Sequence, residues 1–454
     1  VTNITDVDDK IITKANAEGR PATAVAEEFT AAYVADTDRL GIPRPDVEPL
    51  ATETIPEIID LVCQLVSSGH AYPAHGSVYF RVRSFGGYGK LSKQRIDQLE
   101  EGVRVDADPG KADPLDFAVW KAAKPGEPAW DSPWGMGRPG WHIECSAMGL
   151  RYLGAGFDIH GGGRDLIFPH HENEIAQSEA AGLPFAKVWM HNGMIRSDGE
   201  KMAKSVGNIF LLREVLDRYQ PAVVLMYFLT THYRSPLEFS TGKLDEAKAA
   251  YGRFADALAD LEFRIANAAR AAAQGEWPDL SLRAETARMA FGEQMDDDLN
   301  TAAAIGELFA LVGETRRYLA EVDRGAAPLD SGALEAVREV VLDSLDALLV
   351  PAPGADGLVT GVGSVAGAAG EACVTGDVAT MPAVRLAEDG RWDDVSLVYA
   401  DRLDCGDASY ACVLRDHYRE TRDWANADRL RDEIQAAGFD VRDTPQGTQV
   451  VRKS

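Results

Sequence analysis

Between residues 140 and 195 the chain alternates in a way that few folds can satisfy. Three short apolar stretches bounded by glycine, WHIEC (141–145), FDIHGGG (157–163) and VWMHNGMI (188–195), follow one another, with a helix-like stretch, PHHENEIAQSEAAGL (169–183), between the last two. Parallel strands need a crossover connection, and a helix is the usual one, so this alternation predicts an α/β fold built on a parallel sheet. All three apolar stretches read as strands, which places Cys145 at a strand end.

The flanks extend that frame. Residues 1–7 alternate weakly and predict a strand running into a turn; residues 10–41 predict two helices separated by Gly19, Arg20 and Pro21. Ile55, Ile58, Ile59, Val62, Leu65 and Val66 recur at helical spacing, and Gly69 closes that segment. Residues 71–131 change character, with short β-prone pieces, many Gly and Pro, and a run over 81–95 holding five basic and no acidic residues. They predict an inserted loop-and-strand module. Residues 243–349 carry Ala-rich, Arg/Glu-rich helical patterning and predict a helix bundle. A Gly/Ala/Val-rich linker follows at about 351–380, and the last fifty residues predict a helix closed by Gly438 and two strands around Pro445, Gln446 and Gly447.

Composition narrows the function classes. The chain of 454 residues carries 46 Lys+Arg against 72 Asp+Glu, a balance of −26, which excludes a simple basic nucleic-acid coat. Residues 405–454 differ, with eight basic and nine acidic residues, and can present arginines to phosphate or unstacked bases; a surface helix laced with ion pairs is the plainer reading. Five scattered cysteines argue against a disulfide framework and for a reducing compartment, the cytoplasm. The stretch that most invites a membrane reading, 357–370, is only 14 uncharged residues and glycine-rich, too short to span a membrane. The opening VTNITDVDDK has neither a basic nor an apolar signal region, and the chain is expected to begin within a domain.

Two groups of residues carry chemistry. Lys201 and Lys204, three apart in the loop SDGEKMAKSVGN, can follow a polyphosphate through a reaction, although a solvated lysine pair looks the same. The strand end Gly161, Gly162 and Gly163 lets backbone approach a nucleotide closely. Pro169 suits a first helical position, which puts His170 and Glu174 at i and i+4 on one face, where both can hold one metal ion with Cys145. Thiolate, imidazole and carboxylate are all zinc ligands, and three of them leave room for a substrate atom. A core cysteine beside a charged helix start is the plainer alternative.

The segments NITDVDDKI (3–11), GWHIECSAM (140–148), DIHGGGRDLIFPHHENEIAQ (158–177) and EKMAKSVGN (200–208) resemble the characteristic segments of the bacterial cysteinyl-tRNA synthetases, a class I aminoacyl-tRNA synthetase family. MDDDLNTA (295–302) and DWANADRLRDEI (423–434) resemble the family's helical and anticodon-side regions, and only about 351–404 lacks a counterpart. The resemblance implies a Rossmann-like catalytic domain, its first half ending in 1–50 and its second half at 136–242. A connective insertion at 51–135 separates them. A helical bundle at 243–350, a linker at 351–404 and a small α/β unit at 405–454 follow.

The implied activity joins L-cysteine to tRNA(Cys) through a cysteinyl adenylate formed with ATP and Mg2+ by a monomeric enzyme. Lys204 is the implied main phosphate contact and Lys201 assists, although Ala203 stands where the family's motif usually has Ser. The glycines and Asp165 lie beside the adenosine, and Thr5 and Trp141 beside the amino acid; core packing is the other reading of Trp141. One zinc ion per chain, held by Cys145, His170 and Glu174, selects the substrate thiolate, with His171 the alternative to His170. The family's N-terminal segment, with a further zinc cysteine and the HIGH motif, has no counterpart here. The chain is therefore expected to be incomplete and weakly active or inactive in cysteine-dependent ATP–pyrophosphate exchange. A cysteine ligase of thiol biosynthesis with an amino-sugar acceptor and a non-catalytic tRNA-binding relative share parts of the pattern; the segment at 423–454 favours the synthetase over the first.

Overall fold

The computed structural model describes residues 1–96, 110–197, 200–201, 210–268, 271, 273–353, 424–436, 439–444 and 447–452. Lys204 and Ala203, the linker from 354 to 404, and Cys373, Cys405 and Cys412 lie outside the described residues. Two units are compact in themselves: Val1–Arg218 with Tyr233–Ser240, and Tyr219–His232 with Thr241–Ser454.

The first unit opens on residues that reach across to a later turn. Ile4 makes an isolated parallel bridge to Leu50, where the sequence predicts a longer strand. The three acids of TDVDDK each hold a structural partner. Asp6 accepts from the Thr52 amide at 3.0 Å. Asp8 caps helix α1 (Asp9–Glu18) by accepting from the Lys10 amide at 2.8 Å. Asp9 pairs with Lys121 at 2.7 Å and with the buried Arg138. Helix α2 (Ala22–Leu40) follows, as the sequence predicts, and both helices end on a left-handed glycine, Gly19 and Gly41.

Helix α3 (Ile55–Ser67) turns Ile58, Leu61, Val62 and Leu65 inward. Next come β1 (Ala71–Ala74), β2 (Ser77–Phe80), β3 (Phe117–Ala122) and β4 (Gly137–Pro139), an antiparallel sheet in that order. The core joins α3 and this sheet to the segments that follow, because Ile58, Leu65, Val78, Phe80 and Trp120 form one cluster with Ile143, Ala147 and Ala176.

The stretch WHIEC is not a strand; it opens helix α4 (Trp141–Leu153). Five residues, three of them apolar, do not distinguish a buried helix from a strand, and the thirteen-residue helix buries Ile143, Ala147 and Met148 at helical spacing. Strand β5 (Ile159–Gly163), helix α5 (Glu172–Ala180) and strand β6 (Val188–Asn192) form the predicted crossover, with β5 and β6 parallel from Ile159↔Val188 to Gly163↔Asn192. Strands β7 (Ile195–Ser197), β8 (Glu200–Lys201) and β9 (Leu237–Glu238) make a second small sheet, in which β7 pairs antiparallel with β8 and parallel with β9; helix α6 (Leu212–Leu216) lies between β8 and β9 in the chain.

The second unit is helical, as the patterning over 243–349 predicts. Helices α7 (Pro221–Leu229), α8 (Thr241–Ala266), α9 (Pro278–Asp296), α10 (Thr301–Asp323) and α11 (Ser331–Ala347) bury Phe254, Leu308, Val337 and Leu345. Arg264 is buried among them and is held by Asp260 at 3.0 Å and Asp323 at 2.8 Å. Helix α12 (Trp424–Ala436) and the hairpin of β10 (Phe439–Thr444) and β11 (Gly447–Arg452) match the terminal prediction. No helix among the described residues is long and apolar enough to cross a membrane.

Two glycines give opposite expectations. A Cβ on Gly140, at the start of α4, would lie 2.1 Å from the Ala118 carbonyl oxygen, whereas one on Gly252, inside α8, would meet nothing within 4 Å. Gly140→Ala forces backbone apart and should cost about 1–3 kcal/mol. Gly252→Ala should stabilise by about 0.5–1 kcal/mol. Thermal melting followed by circular dichroism checks both, and an unchanged midpoint for Gly140→Ala contradicts the contact.

Candidate metal centre

The shared core brings the first turns of α4 and α5 together, and Ser146 Oγ donates to Gln177 Oε1 at 2.6 Å across them. Cys145 and Glu174 therefore face the same space. Between Ile167 and His171 the chain makes one wide turn with Phe168 extended, so α5 becomes regular only at Glu172. The i, i+4 pair predicted from sequence nevertheless forms, with His170 Nε2 2.7 Å from Glu174 Oε1. Cys145, His170 and Glu174 offer donor atoms that all lie within 4.8 Å of one another.

Glu174 also serves a second group. Its Oε2 lies 2.9 Å from His160 Nε2, and His160, His171 and Glu174 likewise bring their donor atoms within 4.8 Å. Both alternatives that the sequence left open, His170 and His171, thus sit beside the same carboxylate. Three further histidines that the sequence reading missed frame them: His142 Nδ1 lies 2.7 Å from His170 Nδ1, His191 Nε2 lies 2.9 Å from His171 Nδ1, and His160 comes from β5. His142 lies within GWHIECSAM and His160 within DIHGGGRDLIFPHHENEIAQ, so the quoted segments themselves held the available signal.

Electrostatics follow from burial. Glu174 is fully buried, which pushes its carboxyl up, but the hydrogen bonds and charges of His160 and His170 outweigh that and hold it down at about 2. Burial raises the Cys145 thiol well above its ordinary range, and the nearby Glu174 and Glu144 add to it. Burial lowers His171 to about 3, so its ring is neutral and a competent ligand at ordinary pH. A thiol that ionises only beside a cation, next to a buried carboxylate whose ion partners are histidines, is the donor chemistry of a zinc or similar divalent site.

The other predicted residues take these places. Trp141 is 43% exposed, and its ring lies over His170 with centroids 4.1 Å apart, so it borders the metal group and is not core. Asn3 Nδ2 donates to Cys145 Sγ at 3.5 Å and lies 3.4 Å from Thr5 Oγ1, which puts Thr5 at the same edge. Gly161, Gly162 and Gly163 form the end of β5, and Asp165 lies in the single turn that follows. Lys201 lies in β8.

Residues 1–249 match the family described as tRNA synthetases class I (C) catalytic domain, and residues 290–349 match the DALR domain. The chain is 44% identical to the cysteine–tRNA ligase of Pelotomaculum thermopropionicum over 98% of its own length and 86% of the relative's. It is 44% identical to that of Geobacter sulfurreducens over 99% and 86%. This chain belongs to the cysteine–tRNA ligase family. In fold it resembles the Mycobacterium tuberculosis methionyl-tRNA synthetase solved with methionyl-adenylate, with a TM-score of 0.55 at 15% identity over 77% of this chain and 83% of that one. The catalytic match spans both the Cys145–His170–Glu174 group and the glycine strand end.

The glycines separate by contact. A Cβ on Gly162 would lie 2.7 Å from His171 Cε1 and 2.9 Å from its Nε2, whereas one on Gly161 would meet nothing nearer than 3.9 Å. The His171 ring is buried among Trp189, His160 and His191 and has no free direction to move. Gly162→Ala should lower stability by about 1–3 kcal/mol while Gly161→Ala stays near wild type; equal melting temperatures for the two variants contradict this.

Proposed function

We propose that this chain ligates L-cysteine to tRNA(Cys), using ATP, and that a zinc ion held by Cys145, His170 and Glu174 selects the amino acid through its thiolate. The observation that carries the zinc assignment is the convergence of a thiol, an imidazole and a fully buried carboxylate within 4.8 Å. The ion, when bound, supplies a soft centre that prefers sulfur to the hydroxyl of serine. Cys145 offers the same softness on the protein side, which favours this group over His160, His171 and Glu174 for a sulfur-binding ion.

The surrounding residues take roles by position. Trp141, whose ring lies tilted over His170 at the exposed edge, walls the amino-acid side, and Thr5 borders it through Asn3. His142 holds the distal nitrogen of His170 and so fixes which nitrogen faces Glu174. Gly161, Gly163 and Asp165 lie beside the adenosine of ATP, where a strand end without side chains admits a nucleotide. Lys201 and Lys204 would neutralise charge on the phosphates as pyrophosphate leaves, Mg2+ would add positive charge there when bound, and the resulting cysteinyl adenylate would pass its acyl group to the tRNA with release of AMP. The terminal unit of α12 and the hairpin supports tRNA over an amino-sugar acceptor. The enzyme acts as a cytoplasmic monomer.

Zinc content decides the site. The wild-type chain should retain close to one equivalent after dialysis, and Cys145→Ser, His170→Asn and Glu174→Gln should each lose most of it. His142→Gln, outside the donor set but the partner of the distal nitrogen of His170, should keep the metal with affinity reduced by about tenfold or more. Full retention in all three donor variants refutes the assignment, and loss confined to Glu174→Gln with retention in Cys145→Ser and His170→Asn points to His160 and His171 instead.

A further inference from the structure

The donors of this site are not aligned by a regular helix alone. His170 precedes the first regular turn of α5 and follows the extended Phe168, while Glu174 lies inside the helix. Helical hydrogen bonds therefore leave the position of one donor relative to the other underdetermined. Of the three residues between them, Glu172 and Asn173 are buried and belong to neither donor group.

Both are gripped by a single turn of the insertion. Glu172 Oε1 accepts from the Gly89 amide at 2.9 Å, and its Oε2 accepts from the Ser92 amide at 2.8 Å. Asn173 Oδ1 accepts from Tyr88 Oη at 2.6 Å, and the Tyr88 ring meets Phe168 edge-on with centroids 6.4 Å apart. The turn is itself closely wound. Gly89 has φ +92°, and a Cβ there would lie 2.0 Å from the Gln94 carbonyl oxygen. A buried carboxylate spent on two amides of a distant turn is costly to desolvate, and stability alone is achieved more simply with apolar residues.

We propose that Glu172 and Asn173 are positioning residues for the metal site: with the turn at 88–92 they lock the start of α5 so that His170 and Glu174 converge on one ion. The proposal rests on the zinc reading above. The insertion then acts on the chemistry of the site through backbone amides, without supplying a ligand. Outer partners of metal ligands typically change metal affinity by about 10–100-fold.

The test uses zinc affinity by chelator competition, together with the visible d–d bands of the Co(II)-loaded chain. Tyr88→Phe removes one hydrogen bond with little risk to folding. It should weaken zinc about tenfold and shift the cobalt bands, as should Asn173→Ala and, more strongly, Glu172→Gln. Asn173→Asp keeps the acceptor for Tyr88 Oη and should restore both readouts. Val78→Ala, which opens the same core away from the turn, should lower the melting temperature and leave the bands in place. Variants that lose stability but keep wild-type zinc affinity and cobalt bands overturn this proposal alone. A wild-type chain without a cobalt–thiolate band overturns the zinc reading and this proposal with it.

Discussion

A carboxylate sealed from water, with no Lys or Arg paired to it among the described residues, is expensive to keep ionised, and Glu174 is such a group. Its two oxygens face two histidines from two different elements, His170 at the start of α5 and His160 on β5. Those contacts hold it ionised while the adjacent Cys145 thiol is held protonated. A divalent cation removes both costs at once, since it compensates the carboxylate and lets the thiol ionise. The rest of the first unit can be understood as the means of assembling that cluster.

The assembly is steric as much as electrostatic. Ile143 and Ala147 of α4 and Ala176 of α5 share a core with Trp120, Phe80 and the inner face of α3, so the insertion is part of what presses the two donor helices together. Backbone must pass backbone at Gly140, and the His171 ring must pass backbone at Gly162. On the far side of α5 the turn at 88–92 closes the grip. Removing water from the cluster strengthens every charge interaction within it.

Much of this was legible in the sequence, and the failures have physical causes. The His170–Glu174 spacing was readable because i, i+4 neighbours share a helix face, and it survived a break in the helix just before it. Helices α1, α2 and α3 were readable from their glycine stops and apolar spacing. WHIEC was misread because its apolar run is short and its helical period emerges only over Trp141–Leu153. His142, His160 and His191 were missed because each belongs to the site through tertiary contact, with no periodic signal in its own segment. The glycine run reads as a nucleotide approach, yet Gly162 has a nearer reason in the His171 ring, which only the packing reveals.

The central claim is that a buried ion on Cys145, His170 and Glu174 receives the substrate's sulfur. X-ray absorption at the zinc edge measures this directly, because a Zn–S path at about 2.3 Å is distinct from Zn–N and Zn–O paths at about 2.0–2.2 Å. Adding L-cysteine to the zinc-loaded chain should raise the sulfur count at the metal by one, and adding L-serine should leave it unchanged. An unchanged count with L-cysteine, or the same spectral change with both amino acids, contradicts the account.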